Sequence, residues 1–598
     1  MKNSQSNFFQ TFFFIIFFLN IFISSSFSNT ILYFILTDRF FDGNSENNFN
    51  IDKTKEKTYH GGDLAGIIQK IDYLKNLGIN AIWISPIYDN RDNEFFGAWA
   101  YHGYWVKDFE NIEEHFGSIN ELKKLSDELH KNNIKLILDI VLNHTEWDAP
   151  LTQNKDFFHN KGDIKNWNNQ EELETHNLTG LPDLNQENEE VYNYLLNNTK
   201  YWIKTANCDG IRLDAVKHIP HNFWKRFLKD IKNYVKNELH KNDFLIIGEV
   251  LNGDVNYLNE YFKDGFDYLF DFPLYYTLVD VFKYNNSSMQ ALSIKFNQDI
   301  IYENEFGLSP FLDNHDVARF FNDDTDLFKC ALGLIFFIRG FPTIYYGTEV
   351  PLSGFNETDS RKDMFFNENS ELYKFTALLA LIRKNYEVFN NGQQIELYVD
   401  DDIYAFTRIN ESEEAIIIIN KNSNNKNIQI PLLTESCINE NLVDLINLKK
   451  CEIAEKKLNF LIDAKSIAVF VKECEKNIHK NYIEKIKEEK RKIKTESSEY
   501  QTYKIKVKND KTKFGEQIYI VGSINELGNW DPKKSIGPMK CPNWPEWEIE
   551  IKLPPKRIIE FKFIVKDEKG NIKWESGNNR IINTSTQDNT NLEFIFNQ

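Results

Sequence analysis

The sequence predicts an α/β protein: a (β/α)8 barrel with an excursion after its third strand, followed by an antiparallel β domain and a C-terminal β-sandwich. Three observations carry this expectation. Between residues 31 and 350, eight short apolar runs alternate with amphipathic patterns such as DLAGIIQKIDYLKNLG and SINELKKLSDELHKNN. That alternation is the signature of parallel strands joined by helical crossovers, and eight units suffice to close a barrel. No Gly-rich phosphate loop follows any run, which argues against a doubly wound open sheet. After residue 385 the pattern changes to residue-by-residue alternation, as in DIYAFTRI, and a second alternating region begins at residue 500.

Taken in order, residues 1–28 hold one early lysine and a Phe/Ile-rich run broken by Gln10, Thr11 and Asn20. The run closes on small residues around Ser26-Phe27-Ser28. This is the layout of a secretory signal peptide, too interrupted for a membrane span. A soluble exported protein is expected, in the medium or the lumen of a digestive vacuole, monomeric and free of the membrane after cleavage. The net charge of −19 and the lack of a Lys/Arg-rich block exclude a nucleic-acid partner. Cys437 and Cys451 are the candidate disulfide pair for that compartment. Asn177, Asn197, Asn285, Asn286, Asn356, Asn410 and Asn583 stand in glycosylation triplets.

The barrel is expected over residues 29–385, with strands in ILYFILTDRF, NAIWISPIY, IKLILDIVLNH, CDGIRLDAVKH, FLIIGEV, FDYLFDF, SPFLDNHD and FPTIYYGTE. In such barrels, chemistry gathers at the C-terminal ends of strands. Five runs end in polar residues: Asp38-Arg39, Asn143-His144, Asp214 to His218, Glu249 and Asn314-His315-Asp316. In the fourth, Arg212 and Asp214 lie two apart and share a face. Burying such a pair costs several kcal/mol per charge, so its presence points to a site. Residues 145–190, after the third run, are polar, contain LPDLN and exceed an ordinary loop, so they form the excursion. Residues 386–472 make the antiparallel β domain, 473–499 a charged linker, and 500–598 the terminal sandwich.

Asp214, Glu249 and Asp316 end runs four, five and seven. Glycoside hydrolysis needs two carboxyl groups flanking the scissile bond. Arg212 is expected to keep Asp214 ionised, while the apolar FLIIG before Glu249 keeps that group protonated as an acid.

In order, DIVLNH, GIRLDAVKH, GEV and FLDNHD resemble the α-amylase superfamily of retaining glycoside hydrolases, over about residues 31–472. The resemblance implies that Asp214 is the nucleophile, Glu249 the general acid/base and Asp316 the transition-state stabiliser. It assigns His102, Tyr104, His144, Arg212 and His315 to the sugar in the central subsite, and Lys217 and His218 to the leaving-group side. Arg361 departs from the family's local pattern: Glu357-Thr-Asp-Ser precedes it, and Glu357 or Asp359 takes the place of a sugar-binding Asp. A structural Ca²⁺ is implied at Asn143, Asp183 and the His218 carbonyl, all oxygen donors. DGNSENN and the later GGD resemble a calcium loop of cyclodextrin glucanotransferases, implying a second Ca²⁺ at Asp42, Asn44, Asn47, Asn48, Gly61 and Asp63.

The C-terminal stretch GSINELGNWDPKK, WEIEIKLPP, IEFKFIVKD and IKWESGNNR resembles a starch-binding module. Trp547 and Trp574 are expected as its aromatic platform, with Lys562 and Asn579 as hydrogen-bonding partners and Trp530 in the core. The resemblance thus implies an α-amylase acting on starch, glycogen and maltooligosaccharides. A cyclodextrin glucanotransferase or maltogenic transglycosylase is the alternative. Thr179 and Leu251 stand where the transferases carry aromatics, which favours hydrolysis. A non-catalytic glucan-binding barrel is disfavoured because all three carboxylates are present.

Overall fold

The computed structural model describes residues 27–433, 442–473, 479–496, 501–513, 515–554, 557–567, 571–584 and 590–597. Each of the eight apolar runs becomes a strand of one parallel sheet: β1 Leu32–Ile35, β2 Ala81–Ile84, β3 Lys135–Ile140, β4 Gly210–Leu213, β5 Leu245–Gly248, β6 Tyr268–Phe270, β7 Leu308–Ser309 and β8 Thr343–Tyr345. The strands pair in the order β8-β1-β2-β3-β4-β5-β6-β7. A parallel bridge from Phe311 to Thr343 joins the outer two and closes the barrel. Because helices cover the outer face and side chains fill the inner one, both faces are dry, and the strands read as continuous apolar runs.

Capping chemistry fixes the crossovers. Helix Ile119–Lys131 starts at Ser118, whose hydroxyl accepts from Glu121 N and donates to the Glu121 carboxylate. Helix Glu189–Ala206 stops at Asn207, in the left-handed conformation with φ 48°. Between β3 and β4 the chain leaves the barrel through two 3-10 turns and the helix Gln170–Thr175, and returns through the bridge His144–Asp183.

The antiparallel domain follows: a four-stranded sheet containing Ile403–Ile409 and Glu413–Asn420 faces a three-stranded sheet around Lys457–Ile462. Its facing sides share an apolar core that includes Ile416, Ile418, Leu458 and Phe470. The expected linker is more ordered than its composition suggests: Lys480–Glu496 is a helix. Lys490 from this helix reaches Glu305 at 3.0 Å and Gln393 at 3.1 Å, so tertiary contacts stabilise a run whose own periodicity is weak. The final domain is a sandwich of two sheets, one containing Gln501–Lys508 and Glu546–Leu553, the other Gln517–Gly522 and Ile558–Lys566.

Two expectations fall on residues outside those described: most of the leader, residues 1–26, and Cys437 of the proposed disulfide. Phe27 is buried, with Lys135 Nζ 3.5 Å above its ring. Among the described residues no helix is long and apolar enough to cross a membrane. Asn410 is buried and hydrogen-bonded to Asn391, which makes its triplet a poor glycan site.

Candidate active site

Arg212, buried on β4, organises the C-terminal rim. One guanidinium nitrogen lies 2.7 Å from Asp214 and 2.8 Å from Asp139, and the other lies 2.9 Å from Glu249. Asp214 and Glu249, from adjacent strands, are therefore held on one cation. Glu249 also accepts from the Ala215 backbone N–H at 3.1 Å. Asp316 is partly exposed and sits 3.2 Å from Arg361 and 3.3 Å from the His315 ring. Its charge is felt by both Asp214 and Glu249, so the three carboxylates share one electrostatic environment.

The expected division of labour inside this group needs correcting. Arg212 does not act on Asp214 alone, since it also contacts Glu249, at 2.9 Å. Burial raises the pKa of both carboxyls, and the guanidinium opposes that rise in each. Asp214 is therefore not held low by its neighbour as the sequence suggested: desolvation is the larger effect.

Asp139 was missed. It is buried at the penultimate position of β3, directly in register with Arg212 on β4. Besides Arg212 it accepts from Trp83 Nε1 at 2.9 Å and from the Tyr104 hydroxyl at 2.8 Å. Burial, opposed by Arg212, moves its pKa up to about 6. The readable signal was an acidic residue inside KLILDI, an apolar strand where only a buried partner could justify it.

The predicted sugar-binding residues converge on the same rim. Tyr104 stacks on His315, ring centroids 5.1 Å apart and planes 12° apart, and on His102 at 5.8 Å. His144 contacts the Tyr104 carbonyl through Nε2 at 3.1 Å. Burial keeps His102 and His315 well below the usual imidazole pKa, and His144 at about 4. These rings are neutral near pH 7, suited to hydrogen-bonding hydroxyls. Arg361 donates to the His315 carbonyl at 2.9 Å and pairs with Glu357 at 2.7 Å. Asp359 faces away, bonded to Lys362 and the Phe355 N–H, so of the two candidates Glu357 is the one beside Arg361. Lys217 donates to the Leu251 carbonyl at 3.1 Å, two residues beyond Glu249. His218 is buried against Leu173, and burial lowers its pKa to about 3.

Both predicted calcium loops contain buried oxygens with no donor. At the root of the excursion these are Asn143 Oδ1 and Asp183 Oδ1. The other Asp183 oxygen binds His159 at 2.6 Å. In the early loop, Asn47 Oδ1 and Asn48 Oδ1 are likewise unpartnered. Gly61 has φ 88°, and a Cβ there would lie 2.4 Å from Asn48 Oδ1 and 3.3 Å from an Asp42 oxygen. Asp63 instead caps the helix Leu64–Gln69, accepting from Gly66 N, and also receives Gly43 and Asn44 N–H. Asn44 is turned onto Glu46 N. The unsatisfied oxygen set suits a hard divalent cation.

The terminal sandwich corrects the expected platform. Trp547 is buried in the module's core, with a side-chain N–H that finds no acceptor among the described residues. Trp574 is exposed, at 39% of its surface. Lys562 donates to the carbonyls of Glu575 and Gly577, and Asn579 to the Glu560 carboxylate, so these two flank the turn after Trp574. Trp530 is half-buried rather than core. Three successive left-handed residues, Gly528, Asn529 and Trp530, hold it out, and its backbone N–H donates to the Gly522 carbonyl, beside the strand carrying Lys562. The physical reason was legible in WEIEIKL: strict alternation puts Trp547 on the inward face with Ile549, Ile551 and Leu553, whereas GNWD is a turn.

Comparison with known proteins matches the family model "Alpha amylase, catalytic domain" to residues 34–379 and "Starch binding domain" to residues 501–593. A cyclomaltodextrin glucanotransferase from Klebsiella oxytoca is 30% identical over 95% of this chain and 94% of its own length. A beta/alpha-amylase from Paenibacillus polymyxa is 35% identical over 75% of this chain, which spans 38% of that longer protein. Among solved structures, an Anoxybacillus α-amylase superposes with a TM-score of 0.71 at 37% identity, covering 76% of this chain and 100% of its own. A γ-cyclodextrin glucanotransferase from alkalophilic Bacillus clarkii gives 0.70 at 25% identity, covering 96% and 99%.

Proposed function

The chain belongs to the α-amylase superfamily and carries a starch-binding module; from that premise we propose that it is a secreted α-amylase cleaving internal α-1,4-glucosidic bonds. The observation that carries this reading is the pair Asp214 and Glu249 on one buried guanidinium, with Asp316 beside them. Asp214 attacks the anomeric carbon while Glu249 protonates the departing glycosidic oxygen, giving a covalent glycosyl-enzyme. Glu249, now the base, then takes a proton from water, whose oxygen displaces Asp214 with overall retention. Asp316 and Arg361 stabilise the developing positive charge and orient ring hydroxyls. Tyr104 offers a flat face to the sugar, and His102, His144 and His315 donate and accept as neutral rings.

Asn143, Asp183 and the His218 carbonyl would hold one calcium ion, and Asp42, Asn47, Asn48 and the Gly61 segment a second; the unpartnered oxygens of Asn143, Asp183, Asn47 and Asn48 support this reading. Bound there, the ions would supply structural charge balance. The leader-like N-terminus supports export.

A second reading is transglycosylation, in which a sugar hydroxyl replaces water at the covalent intermediate. The long match to glucanotransferases, over nearly the whole chain, favours it. Against it, Thr179 and Leu251 offer no aromatic surface to retain an acceptor chain and keep water out. Product analysis decides between the two: linear maltooligosaccharides from starch support hydrolysis, and cyclic products overturn it. In the same assay Glu249→Gln should lose at least ~10²-fold in kcat, as loss of a general acid demands. An active variant would remove Glu249 from the mechanism.

A further inference from the structure

Three successive backbone carbonyls around Arg361 are each clamped by a buried side chain. Arg319 donates from Nε to the Ser360 carbonyl at 2.9 Å. Arg39 donates to the Arg361 carbonyl at 3.1 Å, and the Tyr346 hydroxyl to the Lys362 carbonyl at 2.6 Å. The donors come from the segments that follow β7, β1 and β8. The short turn Asp359–Arg361 is thereby held from its buried side. That turn carries the guanidinium that meets Asp316, Glu357 and the His315 carbonyl.

Of the three donors, Arg319 is the one whose chemistry exceeds a single hydrogen bond. It is buried, yet its Nη1 and Nη2 find no partner among the described residues. Burying a guanidinium without a carboxylate is costly, and a neutral donor would bond one carbonyl at a lower desolvation cost. Stacking offsets part of that cost: the guanidinium carbon lies 3.9 Å from the centre of the Tyr345 ring and 5.0 Å from that of Tyr346. A rigid planar group on an aromatic platform fixes the Ser360 carbonyl in direction as well as distance. The backbone beneath it is pinned at two points. Lys283 donates to the Arg319 carbonyl at 2.7 Å, and the Phe320 N–H to the Asp313 carboxylate at 2.9 Å. Arg319 thus ties the segment of Asp316, three residues earlier, to the turn that carries Arg361.

We propose that Arg319 is a positioning residue: through the Ser360 carbonyl it sets where the Arg361 guanidinium stands relative to Asp316 and the sugar. The inference rests on the cleft being a glucan-cleaving site, and a double-mutant cycle in the full-length protein tests it. Arg319→Met keeps the bulk over Tyr345 and removes the donor and the charge. Its kcat/KM on maltoheptaose should fall ~10-fold or more, since small displacements of a positioned group are costly in rate. In the Arg361→Ala background the same substitution should cost less than about threefold, because the two residues act as one unit. The division of the Arg319→Met loss between kcat and KM should also follow that of Arg361→Ala. A smaller fraction of folded enzyme would instead multiply equally into both backgrounds. Equal factors in the two backgrounds therefore overturn the proposal, as does wild-type activity in folded Arg319→Met. Where Arg319→Met does not fold, Arg319→Lys takes its place in the cycle, keeping the cation over the rings but not the planar fork. Absence of turnover in the wild type would overturn the cleavage reading alone; the cycle is then read in calorimetric affinity for maltoheptaose, with the same two outcomes.

Discussion

Arg212 touches three carboxylates, two of them the proposed nucleophile and general acid. Asp139 is the third: it fills the far side of the guanidinium and anchors Tyr104 and Trp83, so it positions both the cation and the sugar platform. Burial is the main cause of the raised Asp214 pKa, and the Asp139 charge pushes the same way. As the proposed nucleophile, Asp214 would attack only as the anion. Removing the Asp139 charge lowers the Asp214 pKa, so the anion survives to lower pH. Asp139→Asn should therefore shift the acid limb of the kcat/KM profile to lower pH while kcat falls, by up to about 10²-fold if Arg212 tilts. An unshifted acid limb would reduce Asp139 to packing. The three rim carboxylates were legible because each follows its own apolar run. Asp139 was not, because it lies inside a run and only the neighbouring strand's register explains it. Trp530 and Trp547 were exchanged because aromatic identity was weighed above position: alternation buries one and a turn exposes the other.

The loops divide into those that close on themselves and those that leave oxygens unsatisfied. The segment after β1 closes: Asp38 accepts His60 and Gly61 N–H, and Arg39 donates to the carbonyls of Glu56, Thr58 and Arg361, fixing the loop that carries Arg361. The root of the excursion does not close, since Asn143 and Asp183 each keep a buried, unpaired oxygen. A cation binding only the folded state raises stability by about 2.7 kcal/mol at a hundred times its Kd. Chelation should thus lower the melting temperature by several degrees and added Ca²⁺ should restore it. Asn143→Ala should blunt that response. Identical melting with and without chelator would mean that neither loop binds calcium usefully. At this level the sequence was most informative: all eight strands were visible, because burial on both faces leaves few residue types. The helix Lys480–Glu496 was hidden in a charged run, since its order depends on contacts made far away at Glu305 and Gln393.

How the domains sit on one another is what the sequence conceals most fully, because no local pattern encodes which face of a sandwich meets which side of a barrel. The contact is nevertheless specific enough to be broken selectively. Ile558 is half-buried, starts the strand Ile558–Lys566 and meets the barrel across the same gap as Ile294 and Ile301. A carboxylate placed there would lose its hydration on docking, and the adjacent Arg557 is already turned to Asn256, so a cost of up to several kcal/mol favours the undocked arrangement. The module's own core, built from Tyr503, Ile505, Phe561 and Phe563 among others, lies on other positions and should persist. Ile558→Asp is therefore expected to keep adsorption to starch granules while losing preference for long soluble chains over maltotetraose in kcat/KM. Granule binding and chain-length preference would then have separate origins, the first in the module alone and the second in its docking. If the variant kept the wild-type preference, the orientation of the module would have no bearing on how the cleft chooses its substrate.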